Sequence, residues 1–277
     1  MIKLVLTDLD GTFLNKSGSF DQSYYEKVKT MMDQNNVIFA PCTGKQCERV
    51  EELFDTDISK NIWILGDSAT RIKHEGKYIY ESLLPNKLGL QIIEKLENIA
   101  SDHIIIACTP TAAYIKSTVS KEDAQKIRKS YAVVKKQEDL QNIEEDFVKI
   151  TVFDQKLRAF ENVKELSEFE AQAYIVASEA AWIDISNYNV HKGTTVQALQ
   201  HILGVTKEET IAFGDGLNDI ELLEAAGCSF AVNNAFDIVK EKADFITKSN
   251  EESGVLQTIE KLLLLQNEMN HSSKLTD

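Results

Sequence analysis

Two aspartates, Asp8 and Asp10, end the apolar run at 4–6, and a second pair, Asp215 and Asp219, follows the apolar run at 211–213. Carboxylates so close repel one another unless a proton or a cation lies between them. A spacing of two at a strand end lets both side chains project to one side as the chain turns. Taken singly, each pair has an ordinary reading. An isolated D-x-D is a solvated loop capping the next turn, and "GDG" at 214–216 is a turn with Asn218 or Asp219 as a helix cap. Together, three or four acids at the ends of two strands of one sheet form a small set of hard oxygen donors. Such a set suits Mg²⁺ held jointly with a substrate phosphate. Ligands of open parallel sheets bind beyond the carboxyl ends of the strands, where these residues fall.

Two further segment ends supply what a phosphate needs. Thr43 and Gly44 follow the apolar run at 37–40 and offer a hydroxyl and a backbone N–H at the start of a helix, where the dipole favours an anion. Lys192 and Gly193 open another helix and bring an ammonium. The formal net charge of −14 argues against a nucleic-acid or anionic-membrane surface, since either partner is repelled at long range. An anionic substrate then requires positive charge concentrated at its own site.

The elements that must hold these residues can be read from pattern. A chain of 277 residues is long enough for one large or two ordinary domains at about 100–200 residues each. Residues 1–84 alternate strand and helix, with strands at 4–6, 37–40 and 62–65, a helical stripe through Tyr24, Tyr25, Val28, Met31 and Met32, and a hairpin at Glu75 and Gly76. Residues 85–186 change texture: a helical stripe at Leu88, Ile92, Leu96 and Ile99 precedes strands at 103–107, 147–153 and 173–177. After 187 the first texture resumes, with a helix over 192–203, strands at 210–216, 229–232 and 244–247, and a last helix around 252–265. The pattern predicts one mostly parallel sheet built from both ends of the chain, with an inserted α/β unit between them. The polar tail after Gln266 is expected to fray. No apolar run reaches the length of about 18 residues of a membrane span, no signal peptide is evident, and the four cysteines lack metal-ligand spacing. The expected location is cytoplasmic.

The order D-x-D-G-T, T-G, K-G, G-D-x-x-N-D resembles the haloacid dehalogenase superfamily, and within it the Cof-type phosphatases with a large α/β cap. The matching stretches are "TDLDGT" (7–12), "CTGK" (42–45), "HKG" (191–193) and "GDGLNDIELLEAAG" (214–227), followed by "AVNNAFDIVKEKADFITKSNEESGV" (231–255). Lys45 stands where many relatives have Arg, "LGDSATRI" (65–72) lacks the Asn-Gly-Ala common there, and "CTGKQCERVEELF" also looks like the mannosyl-phosphoglycerate phosphatase branch. The resemblance implies a Rossmann-like doubly wound parallel sheet as catalytic core (1–84 and 187–277) and an inserted α/β cap (85–186) that sets specificity. It implies an aspartyl-phosphate phosphatase of small phosphomonoesters, sugar phosphates foremost, with Asp8 as nucleophile and Asp10 as proton carrier. Mg²⁺ is then held by Asp8, the Asp10 carbonyl and Asp215, with Asp219 a ligand or an orienting group. Thr43, Gly44, Lys192 and Asn218 hold the phosphoryl oxygens. A phosphomutase uses the same nucleophile, and a non-catalytic binder of phosphorylated metabolites is the reading from outside the enzyme class.

Overall fold

Short apolar runs from the two ends of the chain pair side by side. The protein is described here by a computed structural model covering residues 1–54 and 61–273. A five-stranded parallel sheet takes the order Phe245–Thr247, Cys228–Val232, Thr210–Gly214, Leu4–Thr7, Ile38–Pro41. Leu4 lies opposite Thr210 and Ile38, and Thr7 opposite Phe213 and Pro41. Every residue of Leu4–Thr7 and Thr210–Gly214 is buried, as unbroken apolar runs in a sheet covered on both faces should be. The register brings the ends of these two strands level.

The first helix, Gln22–Gln34, starts where the Asp21 side chain accepts the Tyr24 N–H and stops just before Asn36, at φ 54°. It buries Tyr25, Val28 and Met32, and the Tyr25 ring lies against Phe13 and Phe39 at 5.9 and 5.5 Å. The last helix, Gly254–Ser273, packs beside it, and Glu260 accepts from both Tyr24 and Lys27. The expected fraying after Gln266 is not seen: helix continues to Ser273. Residues 267–273 contain no Gly or Pro to stop it, and the Gln266 side chain accepts the Ile2 N–H at 2.7 Å. Residues 274–277 lie outside the described chain.

The chain divides into two compact units, one formed by the described residues of Met1–Thr43, Asp55–Trp63 and Val196–Asp277, the other by Gly44–Phe54 and Ile64–Thr195. The parallel sheet belongs to the first. The second holds a six-stranded sheet, in the order Ala173–Glu179, Trp182–Asn187, Lys149–Phe153, Ile104–Cys108, Ala113–Lys116, Val134–Gln137, parallel only in its last pair. Alternation along its strands gives it two apolar faces. One, with Ile150, Val152, Ile183 and Ile185, packs with Ile92, Ile93 and Leu96 of the helix Asn86–Ile99, and the other, with Ile106 and Ile115, packs with Ile127 and Tyr131. Trp182, partly buried, stacks on Phe153 at 4.6 Å against the second of these clusters.

"IWIL" forms the strand Trp63–Gly66. It joins a three-stranded sheet with Arg71–His74 and Lys77–Glu81 instead of extending the parallel one. The expected hairpin is there, with Glu75 and Gly76 at φ 49° and 74°, the two positive values a tight primed turn needs. Between Gly66 and Arg71 the backbone does something rarer: Asp67, Ser68 and Ala69 are all left-handed, at φ 56°, 60° and 62°. The Asp67 carboxyl is 1% exposed and neither of its oxygens has a hydrogen-bond partner. Burial pushes it up to about 6, against the downward pull of Lys149 and Arg71; Glu48 adds to the rise.

Two outcomes follow for stability. Gly89 sits inside the helix Asn86–Ile99, where a Cβ would overlap the ring of the fully buried Phe147. Gly89→Ala should therefore lower the thermal midpoint by the equivalent of about 1–3 kcal/mol, although alanine normally gains about 1 kcal/mol in a helix. Asp67 holds its proton more tightly in the fold than in the unfolded chain, so its contribution is intact below the usual carboxylate value of 3.8 and is lost as pH rises through about 6. Asp67→Asn is expected to stabilise the protein at pH 7.5, by about 1–3 kcal/mol at roughly 1.4 kcal/mol per pH unit. That gain should vanish near pH 4; a gain independent of pH in calorimetric scans would contradict the assignment.

Candidate active site

Asp8 is the first residue past the strand Leu4–Thr7. Its N–H stays in the ladder, donating to the Phe213 carbonyl at 3.0 Å, and the residue is 7% exposed. The chain then closes sharply: the N–H groups of Thr12, Phe13 and Leu14 all donate to the Leu9 carbonyl, at 3.3, 3.1 and 2.8 Å. Gly11 makes this possible twice over. It adopts φ +82°, and a Cβ there would collide with Asp215 Oδ2. The turn thus presses directly on the second acidic loop, and the Thr12 hydroxyl donates to Asp215 Oδ1 at 2.5 Å.

The second loop is equally tight. Asp219 is 1% exposed, and its Oδ2 accepts the backbone N–H groups of Asp215 and Gly216 at 3.0 and 2.9 Å. A Cβ at Gly214 would lie 2.5 Å from Asp219 Cβ, so glycine is required for this close approach. Asp8, Asp215 and Asp219 each place a carboxylate oxygen within 4.8 Å of the others. Asp8 and Asp219 are buried and Asp215 partly so. Three acids this near and this dry repel strongly without a counter-charge. The donors are all oxygen, with no histidine or cysteine among them, which fits a hard divalent cation such as Mg²⁺ or Mn²⁺ better than a softer one such as Zn²⁺ or Cu²⁺. The Asp10 side chain is exposed and is not a member of this group.

Thr43 is 1% exposed and lies two residues past Ile38–Pro41, after a Cys42 N–H that donates to the Thr7 carbonyl at 2.8 Å. Asn218 lies in the 3₁₀ turn Leu217–Asp219. Asp8, Asp10, Thr43, Asn218 and the two acids of the second loop therefore follow the ends of three neighbouring strands of one sheet. Gly44 and Lys192 belong to the second compact unit. There the Gly44 carbonyl accepts from Lys149 Nζ at 2.8 Å, and Lys192, 3% exposed, is the first residue of the helix Lys192–Leu203.

Three side chains at this site carry no sequence signal strong enough to give them a role. Thr12 was visible only as part of a turn, yet its hydroxyl holds an acid 203 positions away. The Asn234 side chain donates to the Gly11 carbonyl at 2.7 Å and accepts the Asn250 N–H at 3.0 Å. Asn250 in turn donates to the Leu14 carbonyl at 2.8 Å. These amides brace the first acidic turn from the far end of the chain.

Residues 5–259 match the family model of haloacid dehalogenase-like hydrolases. The chain is 29% identical over 268 residues to the 5-amino-6-(5-phospho-D-ribitylamino)uracil phosphatase YbjI of Escherichia coli (strain K12), covering 95% of this chain and 96% of that protein. It is 27% identical over 285 residues to the Bacillus subtilis (strain 168) phosphatase YwtE of the same name, covering 95% and 98%. A solved structure of SMU.1108c from Streptococcus mutans UA159 superposes with a TM-score of 0.90 at 27% identity, over 95% of this chain and 100% of that one. The match spans the parallel sheet, both acidic loops and the unit between them, and the chain belongs to the haloacid dehalogenase-like hydrolase family, among its phosphatases.

Proposed function

We propose that the protein is a Mg²⁺-dependent, cytoplasmic phosphatase of small phosphomonoesters, sugar and sugar-alcohol phosphates foremost, acting through an aspartyl-phosphate on Asp8. The observation that carries this reading is the division among the acids: Asp8, Asp215 and Asp219 share one buried group, while Asp10 stands exposed two residues from Asp8. One carboxylate beside the cation and another outside it is the division of labour that nucleophile and proton carrier need.

In the first step an Asp8 oxygen attacks phosphorus and the bond to the leaving alkoxide breaks, with Asp10 donating the proton that the alcohol keeps. In the second, Asp10 takes a proton from water as that water attacks phosphorus, releasing orthophosphate and restoring the Asp8 carboxylate. Mg²⁺ held by Asp8, Asp215 and the Asp10 carbonyl, with Asp219 as ligand or orienting group, supplies charge neutralisation among the acids and the phosphoryl oxygens. The order of the motifs supports Thr43, the Gly44 N–H, Asn218 and Lys192 as holders of those oxygens. The segment 85–186 is proposed as the cap that contacts the rest of the substrate. Among the described residues no helix is long and apolar enough to cross a membrane, and the charge of −14 favours neither nucleic acid nor anionic lipid as partner.

The names of two relatives support a narrower substrate class. Both phosphatases compared above are named for a uracil carrying a phosphorylated ribityl chain, and a primary phosphate on an acyclic sugar alcohol is the narrower form of this proposal. A phosphomutase would return the phosphoryl group to its substrate, whereas a phosphatase releases it, so orthophosphate release separates the two.

Asp8→Asn should lower steady-state hydrolysis of p-nitrophenyl phosphate by at least about 10³-fold while leaving the circular dichroism spectrum unchanged. EDTA should abolish wild-type turnover and added Mg²⁺ should restore it. Substantial turnover by Asp8→Asn would remove the nucleophile assignment, and turnover that survives exhaustive chelation would remove the metal.

A further inference from the structure

One buried charged group plays no part in the reaction just described. Lys149, on the strand Lys149–Phe153, is 2% exposed. Its Nζ donates to the Gly44 carbonyl at 2.8 Å and to the Ser68 hydroxyl at 2.9 Å, and lies 3.6 Å from Asp184 Oδ1. Asp184 collects hydroxyls from Ser68, Thr151 and Ser178 at 3.2, 3.0 and 3.0 Å. A lysine this deep keeps its charge only when it is paired and hydrogen-bonded. Two of the groups it bonds belong to loops: one the carbonyl of Gly44, the other the hydroxyl of a residue in the left-handed turn at 67–69.

That turn is held in a conformation L-residues avoid, and such strain persists only where the surroundings over-determine it. Here they do. The Asp67 N–H donates to the Lys45 carbonyl at 2.7 Å, the Thr70 hydroxyl to the Asp67 carbonyl at 2.9 Å, and the Thr195 hydroxyl to the Ala69 carbonyl at 2.6 Å. The carbonyls of Gly44 and Lys45 are therefore gripped in succession, the first by Lys149 and the second by the strained turn. Sterics do not do this work at Gly44, because a Cβ there would meet its nearest neighbours, Ser68 Oγ and Lys149 Nζ, only at 3.8 and 3.9 Å. A glycine whose neighbours stand at ordinary contact distance is not locked by sterics and is conformationally loose unless its polar groups are tied.

We propose that Lys149 is a positioning residue for phosphate binding: seated on Ser68 and Asp184, it fixes the Gly44 carbonyl and so the backbone that presents the Gly44 N–H. The proposal rests on the reading of Gly44 as a phosphate ligand given above. It makes phosphate affinity depend on a side chain 105 positions away in the sequence.

The test compares wild type with Lys149→Met, which keeps the length of the side chain and removes its donors, and with Ser68→Ala, a milder change that removes one seat of the amine. The measurements are KM and kcat for p-nitrophenyl phosphate, inhibition by orthophosphate, and hydrogen exchange of the amides at 44–46. Expected for Lys149→Met is a rise of about ten- to a hundredfold in both KM and the orthophosphate inhibition constant, a smaller fall in kcat, and faster exchange at 44–46. Ser68→Ala should move the same quantities in the same direction by less. A lower melting temperature with KM, inhibition and exchange unchanged would make Lys149 merely structural and overturn the proposal. If wild type neither hydrolyses the ester nor binds orthophosphate, the phosphatase reading fails, and with it the role in phosphate binding. Exchange at 44–46 then still decides whether Lys149 fixes this backbone.

Discussion

Bringing Asp8, Asp215 and Asp219 within 4.8 Å of one another is work done against electrostatic repulsion, and the first compact unit is organised to do it. Parallel pairing of Leu4–Thr7 with Thr210–Gly214 sets the two loops level, so neither acid can retreat along the strand axis without breaking a buried ladder. Gly11 removes the side chain that would hold the loops apart, and Gly214 the one that would crowd Asp219 within its own loop. Thr12 and the N–H groups of Asp215 and Gly216 offset part of the charge through hydrogen bonds. A bound cation would complete what these neutral donors only begin, because a hydrogen bond to a carboxylate contributes about 1.5–3 kcal/mol, whereas close like charges in a dry site oppose one another by more.

The parallel sheet was legible because each of its strands is a short apolar run that ends on a change of chemistry: "LVLT" on Asp8, "IAFG" on Asp215. The inserted unit was less so. Val134–Gln137 is an edge strand with two exposed lysines, so burial leaves no mark on its composition, and Ala113–Lys116 is too short to show a period. Lys149 illustrates a deeper limit. In "FVKITVF" it occupies the alternating slot that normally faces water, and only the partners Gly44, Ser68 and Asp184, distant in sequence, explain how a charge is accommodated there. Periodicity reports which face a residue is on, not whether that face is wet.

The turn at 67–69 shows the same limit for backbone. "DSA" contains no glycine, and local preference favours an extended or right-handed path. The missing glycine reads as a departure from the family pattern, and it could equally have meant a different loop. The fold instead keeps three left-handed residues and holds them with the Lys45, Thr70 and Thr195 bonds. Tertiary contacts have overridden local propensity beside the buried Asp67 and Lys149, which concentrates strain and buried charge in one place.

Charge is where sequence and structure must be read together. A net −14 should repel a phosphate, yet the chain keeps cations in its interior: Lys29, Arg71, Lys73, Lys149 and Lys192 are all less than 9% exposed. Most of these are balanced locally. Lys29 pairs with Asp33, Arg71 with Glu81, and Lys73 with Glu48 and Glu51, so each pair contributes little field beyond its own contacts. Attraction for an anion must then come from oriented groups at short range, in a low dielectric that strengthens each of them. Orientation is the quantity that Gly11, Thr12, Asn234 and Lys149 control. On the proposed reading, affinity for phosphate in so acidic a protein depends on how firmly a few dipoles and Lys192 are aimed, and not on how much positive charge the chain carries.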